Sequence, residues 1–479
     1  MATKEEVSVM IVSNAAQGHI NPTLRFANRL ISKNVHVTIV TTELVQNRIL
    51  NAHNVPSTTL NQQPSQNKQI QFEFFSDGLS LDFDREKNSE TFINSMKTIG
   101  AKNMSTLITN LAKVRDYYCI IVDPVLLTNI ENVSNELNIP VAFLWMQPCA
   151  TFSISYRYFR NVNSFPDLNN PNEIVQLPGL PLLKVRDFPT YMLPSFPPHC
   201  RQIMVDMCQA CDTNVKWVIA NTVYEWEVEG VKSMSSLSPV YTVGPLVSDF
   251  MIGKNDVTNN NMINMWNVED SCIDWLDNKP NSSVIYIAFG SIVVLTQKEV
   301  DNIANALKNS KKSFLWVIKP TLKGSENDAT EFPKGFLEET KGRGLVVTWC
   351  NQEKVLSHPA VACFLSHCGW SSMIESVTAG VPVIGYPYWL DQPTIAKIIV
   401  KQFDNGVILN YEVNEVPSVE EIERCIKEVM EGQEAKEIKK RALDLKGSVK
   451  KALEEGGSSD KSIDQFINDV VDAHNLAKA

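Results

Sequence analysis

Short runs rich in valine and isoleucine alternate with amphipathic helical stretches along most of this chain, and the alternation happens twice. Val7 to Val12 is an apolar run suited to a buried parallel strand. Asn21-Pro22 then opens a helical pattern with Leu24, Phe26, Ala27, Leu30 and Ile31 mostly three or four residues apart, and Val35 to Thr42 is the next strand. Further strands are expected at 69–75, 119–123, 141–145, 218–222 and 240–243, with helical periodicity over 88–113 and 126–137. Such alternation predicts a doubly wound α/β sheet, whose ligands bind where the strands end.

The rhythm breaks in a proline-rich stretch from Asn161 to Pro198, expected to be an ordered, irregular wall. After Gly244-Pro245 the chain turns polar and asparagine-rich, which makes 246–265 the candidate linker. Alternation then restarts with the strand Ser283 to Phe289, the helix Gln297 to Ser310, and strands at 314–318, 345–348, 362–366, 381–385 and 406–409. A chain of 479 residues has room for such a pair of domains. They are expected at 1–245 and 266–460, with the natural ligand site in the cleft between them.

Composition narrows the partners. With 44% hydrophobic and 20% charged residues the chain is ordinary for a soluble globular protein. A net charge of −10 without a basic cluster argues against nucleic acid and anionic membrane as partners. No apolar run is long enough to span a bilayer, and the polar, acidic N-terminus does not read as a signal peptide. The cytoplasm is therefore the expected compartment and the ten cysteines are expected to be reduced thiols. Cys208-Gln-Ala-Cys211 lacks the second pair a zinc site needs.

Three segments can carry chemistry. His19 follows the first strand in Ala16-Gln-Gly-His-Ile-Asn-Pro22, where a neutral imidazole could serve as a general base. Asp123 ends its own strand. It could orient that imidazole, or simply cap the next helix. Ser366-His-Cys-Gly-Trp-Ser-Ser372 joins a strand to a helix, and the exposed N–H groups and helix dipole of such a junction suit an anion. Ser291 follows a neighbouring strand and could donate from the facing side.

The stretch from Trp349 to Gln392 resembles the signature box of plant family-1 UDP-glycosyltransferases. The matching residues are Trp349, Gln352, Val355-Leu356, His358-Pro359, His367-Cys-Gly-Trp370, Ser372, Glu375, Gly380-Val-Pro382, Pro387 and Asp391-Gln392. The Gln-Gly-His19-Ile-Asn-Pro22 loop and Glu455-Gly-Gly-Ser-Ser459 match as well, so the resemblance spans nearly the whole chain. It implies a GT-B fold: two Rossmann-like α/β domains facing across a cleft, acceptor on the first and UDP-sugar on the second. The terminal helix, 461–479, is then expected to pack back on the first domain. The implied reaction is inverting transfer of a hexose, glucose first because of Gln392, to a small lipophilic acceptor of plant secondary metabolism. No cofactor or metal is implied beyond UDP-glucose as co-substrate, and a monomer is expected.

The resemblance also assigns roles. His19 would take the acceptor proton and Asp123 would hold the imidazole. His367, Ser371 and Ser372 would hold the diphosphate with Ser291 opposite. Trp349 would stack on uracil. Gln352 and Glu375 would hold the ribose, and Trp370, Asp391 and Gln392 the hexose. Phe143, Trp145, Tyr191 and Trp389, with Phe83, are candidate acceptor walls. The chain departs from the pattern at Ser371, where the family usually has Asn, at Asn14-Ala15, where an aromatic and a proline are common, and at Ile395, where Asn is common. Four other outcomes stay open: a metal-dependent enzyme using Asp82-Phe-Asp84, a non-catalytic nucleotide-sugar-binding protein, C-glycosylation of an activated phenol ring, and glucose-ester formation on an aromatic acid.

Overall fold

The chain builds two parallel sheets, one from each half. The computed structural model describes residues 6–53, 70–85, 87–253, 271–318, 331–412 and 415–478. The first half supplies β1 (Ser8–Val12), β2 (His36–Thr42), β3 (Ile70–Phe75), β4 (Cys119–Val122) and β5 (Val141–Trp145). A short antiparallel hairpin follows, β6 (Ile174–Val175) with β7 (Leu183–Lys184), then β8 (Val215–Ala220) and β9 (Val240–Thr242). Seven of these strands lie in the order β3-β2-β1-β4-β5-β8-β9. The second sheet comprises β10 (Val284–Ala288), β11 (Ser313–Val317), β12 (Gly344–Val347), β13 (Val361–Ser366), β14 (Val383–Gly385) and β15 (Gly406–Ile408), in the order β12-β11-β10-β13-β14-β15.

Both orders reverse direction at their first strand, and that reversal opens the crevice where such sheets bind ligands. In the first sheet the crevice lies between β1 and β4, where Val12 pairs with Val122. In the second it lies between β10 and β13, where Ala288 pairs with Ser366. Because these strand ends are in register, the residues that follow them emerge together at one edge. His19 and Asp123 share the first edge, and Ser291 and His367 share the second.

The Gln17–Ser32 helix starts earlier than the sequence pattern suggests, so His19 lies in its first turn rather than in a preceding loop. Pro22 lacks the N–H that would bond back to Gly18. The first turn is closed instead on the Ala16 carbonyl, which accepts from His19 and Ile20 at 2.9 and 3.0 Å.

The two domains are closely joined. One continuous apolar core runs from Ala150, Leu180, Phe188 and Trp226 to Trp370, Ile395 and Ile399. Ile395, the departure from the family's asparagine, is fully buried there. The proline-rich wall folds into the β6–β7 hairpin and short turns, and Thr190 and Leu390 bond each other reciprocally across the domain boundary, both at 2.7 Å. The expected linker begins docked: Leu246 and Val247 are buried, and 254–265 lie outside the described residues. The Ser458–Lys478 helix covers the first sheet, with the Phe466 ring 6.4 Å from Phe26 and 5.9 Å from Trp217. Among the described residues no helix is long and apolar enough to cross a membrane.

Candidate active site

The cleft between the two switch points encloses about 310 Å³, and both domains line it. On the first domain, His19 Nδ1 lies 2.5 Å from Asp123 Oδ2, with the imidazole 22% exposed and the carboxylate 1%. Asp123 does both things its position allows. Its Oδ2 meets the imidazole while its Oδ1 accepts from Val125 N–H at 3.0 Å and caps the turn that follows β4. Burial pulls the His19 pKa down, but the charge and hydrogen bond of Asp123, with the charge of Asp391, outweigh it and leave the value raised. Asp391 belongs to the second domain. Burial lifts its carboxyl to about 6, against the opposing pull of a backbone hydrogen bond and of His19.

On the second domain the Trp370–Ala379 helix opens at Gly369 without a side-chain cap. Its first N–H groups are therefore unclaimed by a capping side chain, and Gly369 to Ser372 line the cleft. His367 stands beside them, at the end of β13. Burial drives its pKa down to about 4 despite a hydrogen bond to the Ala288 backbone, so it meets the cleft as a neutral imidazole. Two glycines make room for the ring. A Cβ on Gly290 would lie 2.6 Å from His367 Nε2, and one on Gly369 would lie 2.5 Å from it. Ser291, Ser371 and Ser372 line the same end of the cavity.

Deeper in the cleft the polar side chains hold one another. Gln352 Nε2 donates to Ser372 Oγ at 2.9 Å and to Glu375 Oε2 at 2.8 Å, and its Oε1 accepts from Tyr286 at 3.2 Å. Gln392 Oε1 accepts from Tyr388 and Trp389 N–H at 2.9 and 3.1 Å, which leaves its amide NH₂ to face a ligand oxygen. Trp349 and Trp389 both line the cavity, Trp389 with 38% of its surface exposed.

Other candidates lie elsewhere. Trp370 borders the cavity, but its indole N–H donates to the Asn221 carbonyl at 2.6 Å across the domain boundary, so the side chain is not available to a hexose hydroxyl. Phe143 and Trp145 do not line the cleft. They sit in the core beneath β5, with the Phe143, Trp145 and Phe152 rings 5.7 to 6.1 Å apart. An all-apolar strand buried on both faces leaves them no open side. Tyr191 is also buried, with its hydroxyl 2.9 Å from Ser155 Oγ. Asp82 and Asp84 are exposed in a turn outside the cleft with Phe83 between them, and among the described residues no group of His, Cys, Asp and Glu is arranged to hold a metal. Cys208 and Cys211 are buried thiols on the Pro198–Thr213 helix, and burial raises both pKa values.

Arg25 and Glu353 are the charged residues lining the cleft to which the sequence assigned no role. Both are buried, and Arg25 Nη2 donates to Glu353 Oε1 at 2.5 Å. The available signal was a cation set between Leu24 and Phe26 inside an apolar helical pattern.

Two Rossmann-like sheets facing each other across this cleft, with a His–Asp pair on one lip and an uncapped helix start on the other, place the chain in the GT-B fold class. The family profile "UDP-glucoronosyl and UDP-glucosyl transferase" matches residues 250–445. The chain is 42% identical over 461 residues to UDP-glycosyltransferase 84B2 of Arabidopsis thaliana, covering 96% of this chain and 99% of that protein. It is 38% identical to the gallate 1-beta-glucosyltransferase of Quercus robur, over 98% of this chain and 91% of that one. The crystal structure of Os79 from O. sativa with UDP superposes with a TM-score of 0.82 at 27% identity, covering 96% of this chain and all of that one. The chain belongs to the plant UDP-glycosyltransferase family, and it is a UDP-dependent glycosyltransferase with the GT-B fold.

If Trp349 is the uracil platform, Trp349→Ala is expected to raise the KM for the UDP-sugar by about tenfold, the worth of one aromatic stack. Initial-rate kinetics at saturating acceptor measure this, and an unchanged KM would remove the assignment.

Proposed function

We propose that this enzyme transfers glucose from UDP-glucose, with inversion, to a hydroxyl group of a small lipophilic plant metabolite such as a phenol, and that His19 is the general base. The observation that carries this reading is the His19–Asp123 contact at 2.5 Å, facing the His367 helix start across a cleft of about 310 Å³.

Asp123 holds Nδ1, so Nε2 is the nitrogen left to receive the acceptor proton. As that proton moves to His19, the acceptor oxygen forms a bond to the anomeric carbon and the bond from that carbon to the diphosphate breaks. Attack from the face opposite UDP inverts the centre in a single displacement, without an enzyme nucleophile. The departing diphosphate gains charge, which the helix N–H groups, His367, Ser371, Ser372 and Ser291, all on the cleft lining, would stabilise. Gln392 and Asp391 hold the hexose, Gln352 and Glu375 the ribose, and Trp349 the base. No step in this scheme draws on a metal ion.

A second acceptor class is favoured by the relatives. The Quercus robur protein is named for gallate, an aromatic acid. A carboxylate acceptor would give a glucose ester by the same displacement, and its oxygen is already ionised at neutral pH.

The test is a mass-spectrometric assay with UDP-glucose and pooled phenols, aromatic acids and terpenoid alcohols, with and without EDTA. A product heavier by one hexosyl unit is expected in both arms. Alkali lability identifies an ester, and acid resistance a C-glycoside. An α-linked product would overturn inversion, and loss of product with EDTA would overturn the metal-free route.

A further inference from the structure

Beneath the cleft, one arginine from the first domain meets two carboxylates of the second. Arg25 lies on the Gln17–Ser32 helix, on the side of the cleft that carries His19, and is 5% exposed. Its Nη1 donates to the Leu246 carbonyl at 2.9 Å and its Nη2 to Glu353 Oε1 at 2.5 Å, while Nη1 lies 3.8 Å from Glu375 Oε1. Glu353 also accepts from Ser248 N–H at 3.2 Å, so the docked start of the interdomain segment is part of the same cluster. Two buried carboxylates so close to one cation leave an excess negative charge in a desolvated place, which is costly unless the geometry is held.

We propose that Arg25 is a positioning residue for donor binding: its guanidinium spans the domain boundary and holds Glu353 and Glu375 together, so that Glu375 faces the ribose of the nucleotide. This rests on the reading of Glu375 as a ribose ligand. It adds a first-domain residue to a site otherwise built from the second domain, and it makes nucleotide affinity depend on the two domains being seated together.

The charges around Glu375 make donor binding depend on pH. Burial, then the charge of Glu353, raise the Glu375 pKa to about 7, while Arg25 and the Gln352 hydrogen bond oppose them. The buried Tyr286 hydroxyl also lies within reach of the Glu375 charge, and Gln352 ties that hydroxyl and the neutral Ser372 into the same cluster. Further charges lie on elements packed against its helix, of which Lys354 and Lys401 are exposed. Asp249 acts on Arg29, Lys397 pairs with Asp187, and Lys439 and Lys446 donate to the Gly380 and Ala379 carbonyls. A carboxylate accepts hydrogen bonds from both ribose hydroxyls more readily than its protonated form, so UDP affinity falls as pH drops through the Glu375 value. Removing the cation raises that value, and removing the neighbouring carboxylate lowers it.

Calorimetric titration of UDP across this pH range tests the idea on four variants of the full chain. Arg25→Gln is expected to weaken UDP binding about tenfold at neutral pH, the loss of one charge-assisted contact, and to move the acidic midpoint of affinity up by about one unit. Glu353→Gln is expected to move the midpoint down. Arg25→Lys, which restores charge without the fork, recovers most of the midpoint and part of the affinity. In turnover the Arg25→Gln effect falls on the KM for the donor rather than on kcat. If Arg25→Gln lowers thermal stability but leaves the midpoint in place, or if both neutralising variants shift it the same way, Arg25 is only structural and the inference fails. If Arg25→Gln does not fold, Glu353→Gln decides alone, and an unmoved midpoint overturns the proposal. Glu375→Ala separates the two layers: wild-type UDP affinity in that variant would sink the ribose assignment itself.

Discussion

His19→Ala is expected to lose about a hundredfold to ten-thousandfold in kcat toward phenolic or alcoholic acceptors, with UDP binding retained. A phenol ionises only near pH 10, so at neutral pH almost every acceptor molecule still carries the proton that His19 would remove. An aromatic acid arrives already ionised. Toward such an acceptor the same substitution is expected to cost about tenfold or less, the residue of lost orientation. Measuring kcat for matched phenol and acid acceptors therefore reports on the chemistry of His19. Equal losses on both would mean that the imidazole positions the acceptor and does not take its proton. The pH profile adds a sign. Burial lowers the His19 pKa, but Asp123 and Asp391 raise it above its ordinary 6.5. If His19 is the base its active form is neutral, so kcat/KM for a hydroxyl acceptor should fall as pH drops through that raised value. Asp123→Asn removes the main partner. It should move the acidic limb downward and lower the plateau as well, because an amide no longer fixes the tautomer. An acid acceptor should show little of this limb.

The sequence made the two sheets legible because parallel strands buried on both faces must be nearly continuous apolar runs, and Val7 to Val12 and Ser283 to Phe289 are such runs. It also put His19, Asp123 and the His367 turn just past strand ends, which converge at a switch point whatever the loops do, while the roles expected of them came from the family resemblance. Side chains whose role depends on the second domain were hidden. Trp370 sits in the signature box, yet its indole N–H is spent on Asn221, a backbone partner far away in sequence. Phe143 and Trp145 share the composition of an acceptor wall and the burial of a core, and composition alone cannot separate the two. Arg25 is the converse: an ordinary helical arginine by sequence, and a buried cross-domain contact once the halves close. The start of the first helix was misplaced because Asn21-Pro22 is a strong opening signal, and the structure carries Pro22 inside the helix instead.

Gly369→Ala is expected to lower kcat by about a hundredfold to a thousandfold without unfolding the protein, because it acts on the leaving group and on little else. At φ −61° and ψ 136° the residue lies in a region any amino acid adopts, so alanine brings no backbone strain. Its Cβ would meet His367 Nε2 at 2.5 Å, far inside van der Waals contact, and the ring must move. On the β10 side the ring already fills the space that a Cβ on Gly290 would take: that Cβ would lie 2.6 Å from the same nitrogen. On the proposed reading, the displaced imidazole leaves the helix start where the diphosphate would gather charge. That interaction is worth most in the transition state, so kcat should fall more than UDP affinity. Gly290→Ala should be worse for stability, since its φ of +71° adds backbone strain to the same collision. Turnover under saturating donor and acceptor, UDP titration and a melting curve on the two variants separate these effects. If Gly369→Ala keeps kcat within a few-fold of wild type while folding normally, His367 is not part of the leaving-group machinery, and the helix N–H groups and serines act without it.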